Sequence, residues 1–219
     1  MRVYHFVDSK FGLEDVAKRR LKIARIDELN DPFELLAASC TTGHDRAAWR
    51  GLKADCAKQF GLLCFSKGWR NPVQWSHYAD RHTGLCLGFD VQDHNVKAVK
   101  YVSNRLHFDR DLVLNNQQAG EAYLEDILST KFSHWRYERE VRMFVRLDHS
   151  SRQDGLFFYN FSNELSLAEV IVGSLSSVSR DQVREALGSL SLGSRLIQSQ
   201  NAMAVARATP DRKLAASLS

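Results

Sequence analysis

Apolar and polar positions alternate over residues 2–7 (RVYHFV), which predicts a first β-strand. Leu13, Val16 and Ala17 fall on one helical face and predict a short amphipathic helix over 12–20. LKIARI at 21–26 alternates apolar with basic residues and reads as a second strand. A helix is expected over 44–60, with Ala47, Leu52, Cys56 and Phe60 near one stripe. A buried strand at 61–65, a loop at 66–71 and a short helix at 72–79 follow. The strand expected at 84–91 (GLCLGFDV) carries small residues that permit close backbone approach. Residues 96–102 alternate cleanly as another strand. The longest helical pattern covers 117–132, with Ala119, Tyr123, Ile127, Leu128 and Phe132 on one side.

Residues 137–147 (YEREVRMFVRL) show strict two-residue alternation. Val141, Met143 and Val145 point one way, and Glu138, Glu140 and Arg142 the other. Strands are expected at 157–161 and 167–172, then a helix at 179–187 with Ser179 as its N-cap. Residues 195–206 are expected to form a last strand that closes the sheet. This order is not the regular alternation of a doubly wound parallel fold. It predicts an α+β class: a mixed, largely antiparallel split sheet flanked by helices. Residues 1–206 are expected to form one domain, and 207–219 a loose C-terminal tail.

Composition narrows the class. Of 219 residues, 44% are hydrophobic and 26% charged, which excludes disorder for most of the chain. Lys and Arg number 30 against 26 Asp and Glu, a net charge of +4 that permits an anionic ligand without demanding one. No stretch reaches the roughly 18 apolar residues of a membrane span, and the first ten residues are too polar for a signal peptide. Cys40, Cys56, Cys64 and Cys86 contain no Cys-x-x-Cys, so reduced thiols and a cytoplasmic location are expected. Glycine-rich phosphate loops and the nucleophile elbow of α/β-hydrolases are absent.

Three local features carry candidate chemistry. In Trp135-Arg136-Tyr137-Glu138-Arg139-Glu140-Val141-Arg142, two carboxylates two residues apart on a strand would share a face, with Cβ atoms about 7 Å apart. Acids on the inner side of an apolar strand are costly unless paired or used, the alternative being a solvated face with cross-strand ion pairs. Trp75 and Tyr78, three apart on a helical turn, can form a platform for a flat ring or serve as core. Tyr4 and His5 on the first strand point to opposite faces, and such a histidine can hold a ribose hydroxyl or a phosphate, or be structural. Asn30 and Asp31, just before Pro32, are candidate pocket residues or a plain helix cap.

The ordered set YHF at Tyr4, NDPFE at Asn30, CFS at Cys64, WSHYAD at Trp75, GLCLGFD at Gly84 and WRYEREVR at Trp135 resembles a bacterial family of proteins of unknown function, domain-of-unknown-function family 2971. That resemblance runs from about residue 3 to residue 175. The layout is also similar to the ADP-ribosyltransferase fold. In that fold a first strand carries a His or Arg for the NAD ribose, a middle strand a Ser, Thr or Tyr near the nicotinamide, and a late strand a catalytic Glu. His5 matches the first position, Ser66 the second with Tyr78 as the alternative, and Glu138-Arg139-Glu140 the third. Ser66 is not followed by the Thr-Ser of the arginine-modifying branch, and NDPFE has no counterpart.

The resemblance implies an enzyme that uses NAD as substrate. Glu140 would stabilise the sugar cation, and Glu138 would activate an unknown protein or nucleic-acid acceptor. Trp75 or Tyr78 would stack on nicotinamide, while His5, Tyr4 and Arg142 would orient ribose or pyrophosphate. It further implies a toxin or phage-defence effector with an antitoxin or regulatory partner, and no membrane partner. Two alternatives are a non-catalytic nucleotide- or partner-binding module of the same fold, and a metal-dependent nucleic-acid-acting enzyme using Glu138, Glu140 and Asp31.

Overall fold

Local signals in the sequence set most of the element boundaries. The computed structural model describes residues 1–26, 29, 38–115, 117–188 and 196–198. The expected helix start at Asn30 and Asp31, the tail from 207, and all but 196–198 of the last expected strand lie outside the described residues.

The chain opens with β1 (Arg2–Val7), then α1 (Ser9–Lys18) and β2 (Arg20–Arg25). Helix α1 starts earlier than the apolar spacing predicts because the Asp8 carboxylate accepts the Lys10 N–H at 2.8 Å. It ends earlier because Arg19 turns left-handed, with φ at 56°. The short strand β3 (Ala38–Ser39) precedes α2 (Gly43–Gln59). A capping box fixes the start of α2: Thr42 Oγ1 accepts from Asp45 N at 3.1 Å, and the Asp45 carboxylate from Thr42 N at 3.0 Å. Strand β4 (Phe60–Ser66) follows directly, so Phe60 belongs to the strand rather than to the helical stripe. The buried residues of α2 are Trp49 and Ala57, and Ala47 is exposed.

Helix α3 (Pro72–Tyr78) has Asn71 as N-cap, with Asn71 Oδ1 accepting from Val73 N at 2.9 Å, and Pro at its first position. Strand β5 (Leu85–Val91) is next. The single strand expected over 96–102 divides at Val99 into β6 (Lys97–Ala98) and β7 (Lys100–Val102). The two halves serve different partners, which is why the strand breaks. After β8 (Leu106–His107) come α4 (Arg110–Asn115) and α5 (Gln117–Leu128). The helix expected to 132 stops at Leu128, and Thr130–Phe132 forms β9 instead. Lys100–Val102 pairs with Thr130–Phe132 in parallel, a non-local pairing that overrides the helical pattern.

Strand β10 (Glu140–Arg146) begins three residues later than alternation predicts, because Ser133–Glu138 is a 3-10 turn. Strands β11 (Phe157–Asn160) and β12 (Leu165–Val172), helix α6 (Arg180–Leu187) and strand β13 (Leu196–Gln198) complete the described elements. Ser179 caps α6 as expected, in a capping box with Gln182. The fold is α+β, with a largely antiparallel sheet and helices.

The chain divides into two compact units. The first comprises Met1–Val3, Arg19–Gly68 and Asp90–Ser166, and the second Tyr4–Lys18, Trp69–Phe89 and Leu167–Ser219. In the first, β11, β2, β4, β10 and β6 pair in that order, each pair antiparallel. A Cβ on Gly61 would stand 2.3 Å from Ile23 Cγ2, so only glycine lets β2 and β4 close there. Its helical core gathers Trp49, Phe108 and Ile127. In the second unit the strand order is β1, β5, β12, β13, with β12 and β13 parallel. Trp69, Trp75, Ala79, Cys86 and Ile171 form its core, with Tyr4 and Phe6 packed on it. A Cβ on Gly84 would lie 2.3 Å from the Val7 carbonyl oxygen, the close approach expected for this strand. No helix among the described residues is long and apolar enough to cross a membrane.

Candidate functional site

The late-strand acids lie in the first unit and are buried, so the solvated-face alternative does not hold. Glu138 is 3% exposed, Glu140 6%, Arg142 1% and Lys131 6%. Four charged groups this deep must compensate one another. Lys131 Nζ lies 2.7 Å from Glu138 Oε2 and 3.2 Å from Glu140 Oε2. Arg142 forks onto Glu140, Nε to Oε1 at 2.7 Å and Nη2 to Oε2 at 3.1 Å, and its Nη1 donates to the Leu128 carbonyl. Cys64, directly opposite Arg142 in the ladder, adds a thiol hydrogen bond to Glu140.

The geometry corrects one expectation. Glu138 does not share a strand face with Glu140 and Arg142, because it ends the 3-10 turn before β10. Arg139 between the two glutamates is left-handed, at φ 48° and ψ 46°. That reversal replaces strand alternation, and it still brings both carboxylates to one ammonium. The turn is held from β4: Ser66 Oγ lies 2.7 Å from the Glu138 carbonyl and 2.9 Å from the Gly68 carbonyl, and Lys67 N donates to Arg139 O at 3.1 Å. Ser66 also faces Glu140 directly across the β4–β10 ladder.

Electrostatics keep Glu140 ionised. Burial pushes its carboxyl up, but Arg142, Lys131 and the Cys64 hydrogen bond together bring it below the usual glutamate value. Tyr101 completes the surroundings, its hydroxyl accepting the Glu140 N–H at 2.8 Å. Burial first, then the neighbouring carboxylates, push this phenol up to about 12, against the opposing effect of that hydrogen bond.

The other expected site residues fall in the second unit or outside the described residues. Trp75 is 3% exposed; its Nε1 donates to the Trp69 carbonyl at 2.6 Å, and Phe6 meets it edge-on at 5.2 Å. Tyr78 is half-buried at the end of α3, 6.0 Å from the His77 ring. Tyr4 and His5 are half-buried on β1, and Tyr4 lies against the tryptophan core. Asn30 and Asp31 are outside the described residues. The structure therefore brings together Ser66, Glu138, Glu140 and Arg142. Lys131, Cys64 and Tyr101 join them without having been expected. Charge balance could have revealed Lys131, since two buried acids beside one arginine require a second cation. Among the described residues, no group of three or more His, Cys, Asp or Glu is placed to hold a metal ion.

Comparison with known proteins agrees with the family expectation. The family model described as "Protein of unknown function (DUF2971)" matches residues 74–143. That span holds the WSHYAD and GLCLGFD stretches and the whole Trp135–Arg142 segment, and so all four charged members of the cluster. No curated protein and no solved structure matches the chain.

Proposed function

We propose that this chain is an NAD-consuming glycosyl-transfer enzyme of the ADP-ribosyltransferase type, with the corresponding fold. The observation that supports this reading is that two carboxylates, from different backbone elements, meet around one buried cation, Lys131 Nζ. Two carboxylates brought to one point suit a reaction whose transition state is a sugar cation, which negative charge stabilises. In that reaction the bond between ribose C1′ and the nicotinamide nitrogen breaks, and nicotinamide leaves with the electron pair. The acceptor's nucleophilic atom bonds to C1′ and gives up its proton.

Glu140, held as an anion, would stabilise the ribosyl cation. Glu138 would take the acceptor's proton, with Lys131 moving aside to free it. Arg142 would fix the Glu140 carboxylate rather than touch NAD, since its fork is already closed on that group. The proposal extends to a cytoplasmic toxin or phage-defence role with an antitoxin or regulatory partner.

One observation favours a second reading. Glu140 already receives Arg142, Lys131 and Cys64, an arrangement that suits a non-catalytic nucleotide- or partner-binding module of the same fold. Calorimetric titration with NAD, run beside a nicotinamide-release assay, separates the two. Binding with release supports the enzyme, and binding without release supports the module.

A further inference from the structure

We propose that the 3-10 turn at Ser133–Glu138, with its flanks, is a binding face for single-stranded nucleic acid. The proposal also makes such a strand the acceptor of the transfer reaction, a step that rests on the enzymatic reading above. The two acids of this segment, Glu138 and Glu140, are buried and matched by Lys131 and Arg142. What the segment shows to solvent is therefore cationic: Arg136 and Arg139 are exposed, and so is Lys67, whose N–H donates to the Arg139 carbonyl. No ion pair involves Lys67, Arg136 or Arg139 among the described residues.

Aromatic rings interleave with these cations. Phe132 is 43% exposed, and its ring lies 4.7 Å from that of the exposed His134. The half-buried rings of Trp135 and Tyr137 lie 6.0 Å apart, tilted by 37°. Guanidinium and ammonium groups meet phosphates, and ring faces accept unstacked bases, so alternating the two suits a single strand. A duplex offers no free base faces. An acidic peptide would use the cations and leave the rings idle. The face is also pre-shaped: Ser66 and Lys67 hold the main chain at Glu138 and Arg139, which limits the ordering cost of binding. Arg139 is the residue immediately before Glu140, so a strand lying on the turn runs beside the carboxylate pair.

The test is fluorescence anisotropy with the full chain, without NAD, using labelled DNA and RNA single strands of about 15 nucleotides. A duplex of the same sequence and polyglutamate are the controls. Both single strands, or one of them, should bind more tightly than the duplex and polyglutamate. The double variant Arg136→Ala, Arg139→Ala should weaken binding at least about tenfold and lower the salt slope by about 1.4. The double variant Phe132→Ala, His134→Ala should weaken binding about tenfold with the slope unchanged. Equal binding of duplex or polyglutamate, no binding, or variants that bind like the parent would overturn the proposal. Nicotinamide release measured on the same preparation separates the two readings. Strand binding without release sinks the enzyme and the acceptor step with it but leaves the binding face, and release without strand binding sinks only this face.

Discussion

Cys64 and Arg142 stand directly opposite each other in the antiparallel ladder of β4 and β10, and both side chains bond to the carboxylate of Glu140. A thiol and a guanidinium from two strands thus converge on one buried anion. Lys131, from β9, supplies the second cation and links Glu140 to Glu138. The cluster ties four backbone elements together, and its consequences can be measured.

Removing Lys131 leaves two buried carboxylates with one cation. Lys131→Met should therefore lower unfolding free energy by about 3–5 kcal/mol, measured by urea denaturation at neutral pH. Adding Glu138→Gln to that variant should recover part of the loss, because one uncompensated charge disappears. On the surface, Lys18 and Glu14 also pair at 2.7 Å, yet both are substantially exposed. Lys18→Ala should change stability by no more than about 0.5 kcal/mol.

Glu140 also sets an acid limit. Its folded-state carboxyl lies below the ordinary value of 4.5, so the stability it contributes is fully present above that pH. That contribution is lost as the pH falls below 4.5 through the lowered folded value. Stability of the parent should thus fall more steeply on acidification below that point than stability of Glu140→Gln. Identical acid slopes in the two proteins would show that Glu140 is not held as a favoured anion.

Tyr101 works in the opposite direction at alkaline pH. A phenol raised from 10 to about 12 in the folded state contributes stability below pH 10 and loses it as the pH climbs through about 12. Tyr101→Phe should flatten that alkaline decline in a denaturant series.

Gly84 tests the backbone packing of the second unit. A methyl group there would stand 2.3 Å from the Val7 carbonyl and 2.9 Å from that of Ala79, both main-chain atoms with little room to move. Gly84→Ala should cost about 1–3 kcal/mol of stability, read from its thermal midpoint.

Much of the fold was legible because its signals are local. Asn71-Pro72, Thr42 with Asp45, and Ser179 with Gln182 mark helix starts by hydrogen bonds within three residues. The departures have non-local causes. Ser129 to Phe132 continues the apolar spacing of α5, yet pairing with Lys100–Val102 converts Thr130–Phe132 to a strand and turns Lys131 toward the glutamates. The left-handed Arg139 is equally silent in sequence, since arginine has no preference for that region and the clamps from Ser66 and Lys67 help hold it there. Of the site, the Glu138, Glu140 and Arg142 grouping was readable from the cost of burying acids in an apolar strand. By spacing alone Trp75 reads as a stacking platform or as a core residue. Its bond to the Trp69 carbonyl, six residues back, places it in the core.

The most direct test of the central claim is nicotinamide released from NAD by purified full-length protein with cell lysate present as acceptor source. The parent should release nicotinamide in proportion to protein, and Glu140→Gln should release it about a hundredfold or more slowly while remaining folded. Intact NAD with both proteins, or equal release by the two, would contradict the account.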